Sequence, residues 1–324
     1  MEEALPSDAE TRRWKLERGV SGDYIFKGVT VLFAFSILVI LLLMIFEMVG
    51  ESLPSMRKFG WGFIAGREWD AVQGIFGALP YIYGSVVSSI LALLIATPLS
   101  VATAVFITEL APNKFGGTVA ALVELLAAIP SVIYGLWGVL VMAPWLQKTV
   151  QPFLMDHLGF LPFFKGAPYG VSMLAAVFIL VIMVLPIITS ITKEVLLAVP
   201  QSQKEAAIAL GATRWEMIRM AVLPYGRSGI LGAVILGLGR AVGETMAVTM
   251  VIGNNPQISL SLLSPAYTMP SVIANEFAET TSTLHASALM EIGLILLVVT
   301  LIINALARLL LWSVTRERKG GSRG

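Results

Sequence analysis

Apolar positions in this chain fall into long blocks separated by short polar segments. A membrane span needs about 20 mostly apolar residues. Six stretches meet that requirement, at roughly 28–49, 81–108, 119–143, 170–192, 227–252 and 286–313. The second and fifth are interrupted by Gly, Pro or charge, which predicts helices that are tilted, kinked or partly buried in protein. The first block, Gly28 to Val49, is too long for a signal-peptide core. It continues Gly50-Glu51-Ser52-Leu53-Pro54 with no small-residue cleavage site, so a retained helix is expected. No aqueous fold could bury such blocks. The pattern predicts an all-α integral membrane protein with six transmembrane helices within residues 28–313, flanked by tails at 1–27 and 314–324.

Composition sharpens this picture. Hydrophobic residues make up 56% of the chain and charged residues 13%, against about 25% charged in a soluble domain. Whole-chain disorder, a secreted disulfide scaffold and a cytosolic enzyme are excluded. A net charge of +1 argues against a nucleic-acid footprint. The absence of cysteine removes thiol chemistry and thiolate metal sites, and with only His157 and His285 neither a metal site nor a cofactor is expected.

Charge also orients the spans. Arg12, Arg13, Lys15, Arg18 and Lys27 precede the first span, Lys114 follows the second, Lys193, Lys204, Arg214, Arg219 and Arg227 lie in the 193–227 loop, and Arg316, Arg318, Lys319 and Arg323 close the chain. The alternate segments hold only Arg57, Lys58, Arg67, Lys148 and Lys165. Fifteen basic residues against five place both termini and the 193–227 loop in the cytoplasm. Arg308 can snorkel from the last helix, which leaves Arg240 without a surface. The opposite loops, 50–80, 144–169 and 253–285, suit interfacial helices but are too short for a domain.

The 193–227 loop carries two helix-start signals. Ser202 precedes Glu205 by three residues, and Thr213 precedes Glu216, each fitting a capping box. Gly211 lies between them, where a left-handed helix stop favours glycine, and Pro224 is expected to end the second helix. Alone, Glu205 reads as a helix cap. The register Glu205-Ala206-Ala207, Gly211 and Leu223-Pro224 over 20 residues resembles the EAA loop of ABC importer permeases. One departure is Ala221, where that family usually has Ile. The resemblance implies that Glu205, Ala206, Ala207 and Gly211 couple to an ATP-binding subunit. No Gly-x-x-x-x-Gly-Lys-Ser/Thr occurs in the chain, so nothing here cradles ATP phosphates in that way. A separate hydrolysing chain and a permease without enzymatic activity are expected.

Arg240 follows Arg227 by 13 residues, about 20 Å along a helix, well inside the membrane. A charge there is costly and faces protein or water. Arg240 and Glu244 share a helix face at i,i+4. Three readings stand: a self-neutralising pair that fixes packing, a charged lining of a substrate path, or a gate that does not touch substrate. Guanidinium suits phosphate because its planar donors match two oxyanion oxygens. Glu244 could keep Arg240 from trapping the anion, and could accept a hydrogen bond from protonated phosphate, which sulfate cannot offer near neutral pH. Gly239 and Gly243 form a small-xxx-small pair suited to close helix approach.

The full string Gly239-Arg-Ala-Val-Gly-Glu-Thr-Met-Ala-Val-Thr-Met-Val-Ile-Gly-Asn254 resembles PstC-type permeases of phosphate-specific ABC importers, within the binding-protein-dependent inner-membrane component family. Thr97-Pro-Leu-Ser100, Thr108-Glu-Leu-Ala-Pro112 and Ile129-Pro-Ser-Val-Ile-Tyr-Gly-Leu-Trp-Gly138 extend the likeness over about 24–313. The sister permease typically has Ala-Pro after Gly-Glu-Thr, where this chain has Met246-Ala247. The resemblance implies the type I ABC importer permease architecture in the inner (plasma) membrane. It also implies a heterodimer with a second permease, two copies of an ATP-binding subunit, and an external phosphate-binding protein docking on the outer loops. Rival readings are the sister subunit, a permease for sulfate, molybdate or phosphonate, and a proton-coupled secondary anion transporter. A membrane enzyme would need a carboxylate cluster or a His/Ser/Cys constellation, and the sequence offers neither.

Among weaker candidates, Glu47, Glu109, Glu124 and Glu291 read as interfacial carboxylates or partners of nearby bases. Pro98, Pro130 and Pro186 read as kinks, and Tyr81, Tyr83, Tyr134, Trp137 and Trp145 as an interface belt.

Overall fold

The computed structural model describes residues 8–320; the outermost parts of both expected tails, Arg323 included, lie outside them. The chain falls into two compact units divided between Glu51 and Ser52. The first is helical throughout its described length, part of α1 (Asp8–Phe59). Many of its described apolar side chains are exposed: Phe33, Ile37 and Phe46 are all more than 60% exposed.

In the second unit, α2 (Gly62–Ala65) precedes α3 (Leu79–Val105), which ends in a π turn, Phe106–Leu110. Next come α4 (Asn113–Ala128), α5 (Ser131–Trp137), α6 (Ala143–Trp145) and α7 (Gln151–Leu158), the last three joined by π turns. The long helix α8 (Met173–Leu197) follows, then α9 (Gln201–Ala209), α10 (Arg214–Met217), α11 (Leu223–Gly243), α12 (Met246–Val251), α13 (Met269–Glu276) and α14 (Thr283–Gly320). Among the described residues there is no strand, only the isolated bridges Asp70–Ile75 and Gly253–Ala266.

Among the described residues, five helices are long and apolar enough to span, or six if one bent pair counts as a span. That pair corrects the expected single helix at 119–143. α4 and the helical run from Ser131 to Leu158 meet at 92°. The cause is local: Pro130 lacks an amide proton and holds Ile129 extended at φ −71°, ψ 126°. The second arm runs on to Leu158, so most of the expected 144–169 loop is helical.

A second correction concerns Pro224. The helix is not ended there; it is continuous from Arg214 to Gly243. A π turn over Ile218–Val222 carries the chain past the proline, with the Leu223 amide donating to the Ile218 carbonyl. The extra residue of that turn accommodates the missing donor and the ring.

α3, α8 and α11 pack around the main core. α3 offers α8 small buried residues, Ala92, Ala96 and Ser100, the last donating to the Leu185 carbonyl. Gly237 on α11 meets Ile188 and Val184 of α8 so closely that an added Cβ would lie 2.8–2.9 Å from them. Gly239 and Gly243 have nothing within 4 Å of a Cβ, so the close approach belongs to Gly237, not to the expected pair. A second core joins Phe63, Phe76, Tyr81, Tyr267 and Met269 to Leu289 and Ile292 of α14. Tyr81 and Tyr134 are therefore core residues, 0% and 8% exposed, whereas Trp137 and Trp145 stay about half exposed.

Candidate functional site

α11 stops at Gly243, and the next residue, Glu244, is extended at φ −68°, ψ 123°. Two residues later α12 begins. Glu244 bridges the break. One carboxylate oxygen accepts from the Ala247 amide of α12 at 3.4 Å, and the other pairs with Arg240 Nη2 at 3.2 Å. The expected i,i+4 pair therefore forms, with its acid just beyond the helix end. Thr245 donates to the Gly243 carbonyl and accepts, through its own carbonyl, from the Thr249 hydroxyl. At the far end of α12, Gly253 and Asn254 adopt positive φ, and the Asn254 amide holds the Thr249 carbonyl.

The two charges differ sharply in setting. The Glu244 side chain is 4% exposed and the Arg240 side chain 47%. Arg240 reaches into a cavity of about 290 Å³ whose other walls are Leu126, Ala127, Ile129, Tyr134, Met183 and Ile187. The bend at Pro130 builds one side of it, and the Tyr134 hydroxyl donates to the Leu126 carbonyl across that bend at 2.8 Å. Arg240 is the single charged side chain lining this cavity. Paired with Glu244 through Nη2, it still keeps 47% of its side chain exposed.

The 193–227 loop holds one short helix, α9, and the start of the long helix that runs from Arg214 to Gly243; they meet at Gly211, which sits at φ +88°, a conformation that favours glycine. Thr213 and Glu216 make the reciprocal capping box in full. Ser202 and Glu205 do not: α9 starts directly after Pro200, with no side-chain cap, so Ser202 already lies inside the first turn. Ala207 joins an inner cluster with Ala104, Leu196, Met217, Ile218 and Val222. Glu205, Ala206 and Gly211 face outward, beside Ile208, Leu210 and Trp215, exposed by 51%, 91% and 62%. The four residues singled out in the sequence thus divide, three on the open face and Ala207 in the anchor.

The sequence profile described as "Binding-protein-dependent transport system inner membrane component" matches residues 96–315. Phosphate transport system permease proteins PstC of Mesorhizobium japonicum and Haemophilus influenzae are each 45% identical to this chain; the first alignment covers 97% of both chains, the second 91% of this chain and 95% of the relative. The chain belongs to that family, on its PstC branch. A solved bacterial alginate ABC transporter in complex with an alginate pentasaccharide-bound periplasmic protein shares the fold at TM-score 0.57 and 18% identity, covering 88% of this chain and 94% of that one. The inward-facing methionine ABC transporter MetNI does so at 0.54 and 18%, over 72% and 93%.

Two features of this permease were not singled out by sequence reasoning. Lys204, adjacent to Glu205, pairs with Glu109 at the end of α3 at 2.6 Å. Glu109 is visible as a candidate carboxylate, but nothing in the sequence names a partner 95 positions away. At the opposite end of the permease, Trp69 Nε1 donates to Glu276 at 2.8 Å, and His285 Nε2 meets the same oxygen at 3.1 Å. That cluster ties the 50–80 and 253–285 segments together. Burial there pushes the Tyr267 phenol up to about 12, against the opposing bond from Asn275.

Proposed function

We propose that this chain is the permease subunit of an ABC importer that passes inorganic phosphate inward across the inner membrane. It does so beside a second, homologous permease, with two copies of a separate ATP-binding subunit supplying the energy and an external phosphate-binding protein delivering substrate. Both termini, with the tails at 1–27 and 314–324, lie in the cytoplasm, as does the 193–227 loop. The balance of basic residues supports that orientation.

Arg240 carries the reading: a half-exposed guanidinium lining a cavity that the break in the third span creates. The planar fork donates to two phosphate oxygens at once. Glu244, held by the α12 amide, competes for the same donors and lets the anion leave. Glu205, Ala206 and Gly211 form the open surface on which the ATP-binding subunit docks, and Ala207 anchors that surface to α3 and α8.

Radiolabelled phosphate uptake into vesicles reconstituted with the partners tests this reading. Uptake should require ATP, ignore excess sulfate and collapse in Arg240→Gln. Uptake driven by a proton gradient without ATP would overturn it, and full uptake in Arg240→Gln would remove the residue from the path.

A further inference from the structure

α3 and α4 meet in an elbow at Ala111 and Pro112, both extended at ψ near 142°. The elbow is stiff. Gly116 in the first turn of α4 lies so close to α3 that a Cβ would sit 3.0 Å from the Ile107 carbonyl and 3.4 Å from Ala111. The Phe106 and Phe115 rings meet edge to face at 6.1 Å. The π turn that ends α3 and the base of α4 therefore move as one piece.

Glu109 sits in that π turn and Lys204 in α9. Their side chains are 6% and 13% exposed at a separation of 2.6 Å. Breaking a buried pair strands an uncompensated charge, so the two parts are held together strongly even where the pair adds little to net stability. From the elbow, the 16 residues of α4 extend about 24 Å. Its last turn supplies Leu126 and Ala127 to the cavity wall opposite Arg240. One turn earlier, Glu124 pairs with Lys193 at 3.3 Å, near the end of α8 and just before the 193–227 loop runs on into α9.

We propose that Glu109 and Lys204 are positioning residues that form a strut, through which movement of α9 swings α4 as a lever and reshapes the Arg240 cavity. This rests on the reading of α9 as the surface driven by an ATPase. It adds the internal route from that surface to the substrate space, since Ala207 alone offers only apolar contact, which can slide, whereas an ion pair removed from solvent fixes one register.

The test is phosphate taken up per ATP hydrolysed, in vesicles holding the complete transporter. Glu109→Gln should assemble and retain basal ATP hydrolysis, while uptake per ATP falls about tenfold, within the range for positions on a coupling network. The reversed pair, Glu109→Lys with Lys204→Glu, should recover most of the ratio, which would not happen if either charge acted on a different partner. An unchanged ratio in Glu109→Gln, or a loss that the reversed pair does not recover, overturns the strut. Should Glu109→Gln fail to assemble, the reversed pair decides alone: assembly with a near wild-type ratio supports the strut and anything less refutes it. Wild-type vesicles without ATP-driven phosphate uptake would instead remove the functional reading on which the strut depends.

Discussion

Replacing Glu244 with Gln removes one charge and little else. Gln keeps the length and can still accept from the Ala247 amide, so the start of α12 survives. What is lost is the attraction to Arg240 at 3.2 Å, a gross Coulomb term of about 5 kcal/mol at an effective dielectric near 20. Half of the guanidinium already faces open space, and the acid's desolvation offsets part of the gain, which leaves about 1–2 kcal/mol. Freed by that amount, Arg240 holds a passing anion about tenfold more tightly. Release then slows, and ATP-driven uptake at saturating loaded binding protein should fall by a similar factor while the assembled complex remains intact. Glu244→Asp, which keeps the charge, should fall less. Wild-type uptake in Glu244→Gln would refute the argument, because it would mean that the pair neither competes with substrate nor selects its protonation state.

Gly211→Ala places a Cβ at φ +88° with nothing nearby to clash, so the cost is backbone strain alone, about 1–2 kcal/mol. Amide exchange across 205–215 should accelerate about tenfold, and recovery of the ATP-binding subunit on the purified permease should weaken. Gly237→Ala drives a methyl into Ile188 and Val184 and should destabilise by about 1–3 kcal/mol, read as a lower unfolding temperature in detergent. Gly239→Ala, in open space, should leave that temperature within error. Tyr267 has its phenol pKa raised from 10.0 to about 12 by burial, so it favours the fold below pH 10 and loses that contribution as pH rises from 10 to 12. Tyr267→Phe should flatten the decline in thermal stability across that window.

Local chemistry was read well from the sequence wherever the interacting groups lie within one turn. Thr213 and Glu216 form their box, Gly211 takes its left-handed conformation, and Arg240 finds Glu244. The same reasoning failed at Ser202, because the helix starts two residues earlier, after Pro200, and a capping box tolerates no shift in register. Pro224 was misread for a different reason. A proline forbids an α bond, but a π turn supplies an alternative one residue longer, and no composition signal announces it. Hydropathy located the spans because it averages over many residues, yet it was blind to the right angle at Pro130. The Lys204–Glu109 pair depends on how α3 and α9 fold against each other, and pattern along the chain carries no trace of that.

The wide turn at Ile218–Val222 has a further geometric consequence. It takes up one residue more than an α turn, so the helix beyond it keeps the bearing it would have without that residue. Had the same residues wound as a plain α helix, that extra residue would turn everything downstream through about 100°. Arg240, 18 positions on and about 27 Å away along the axis, would then point out of its cavity with every residue around it unchanged. The compass bearing of the permease's buried charge is thus set at the far end of its helix, by the pitch of one turn.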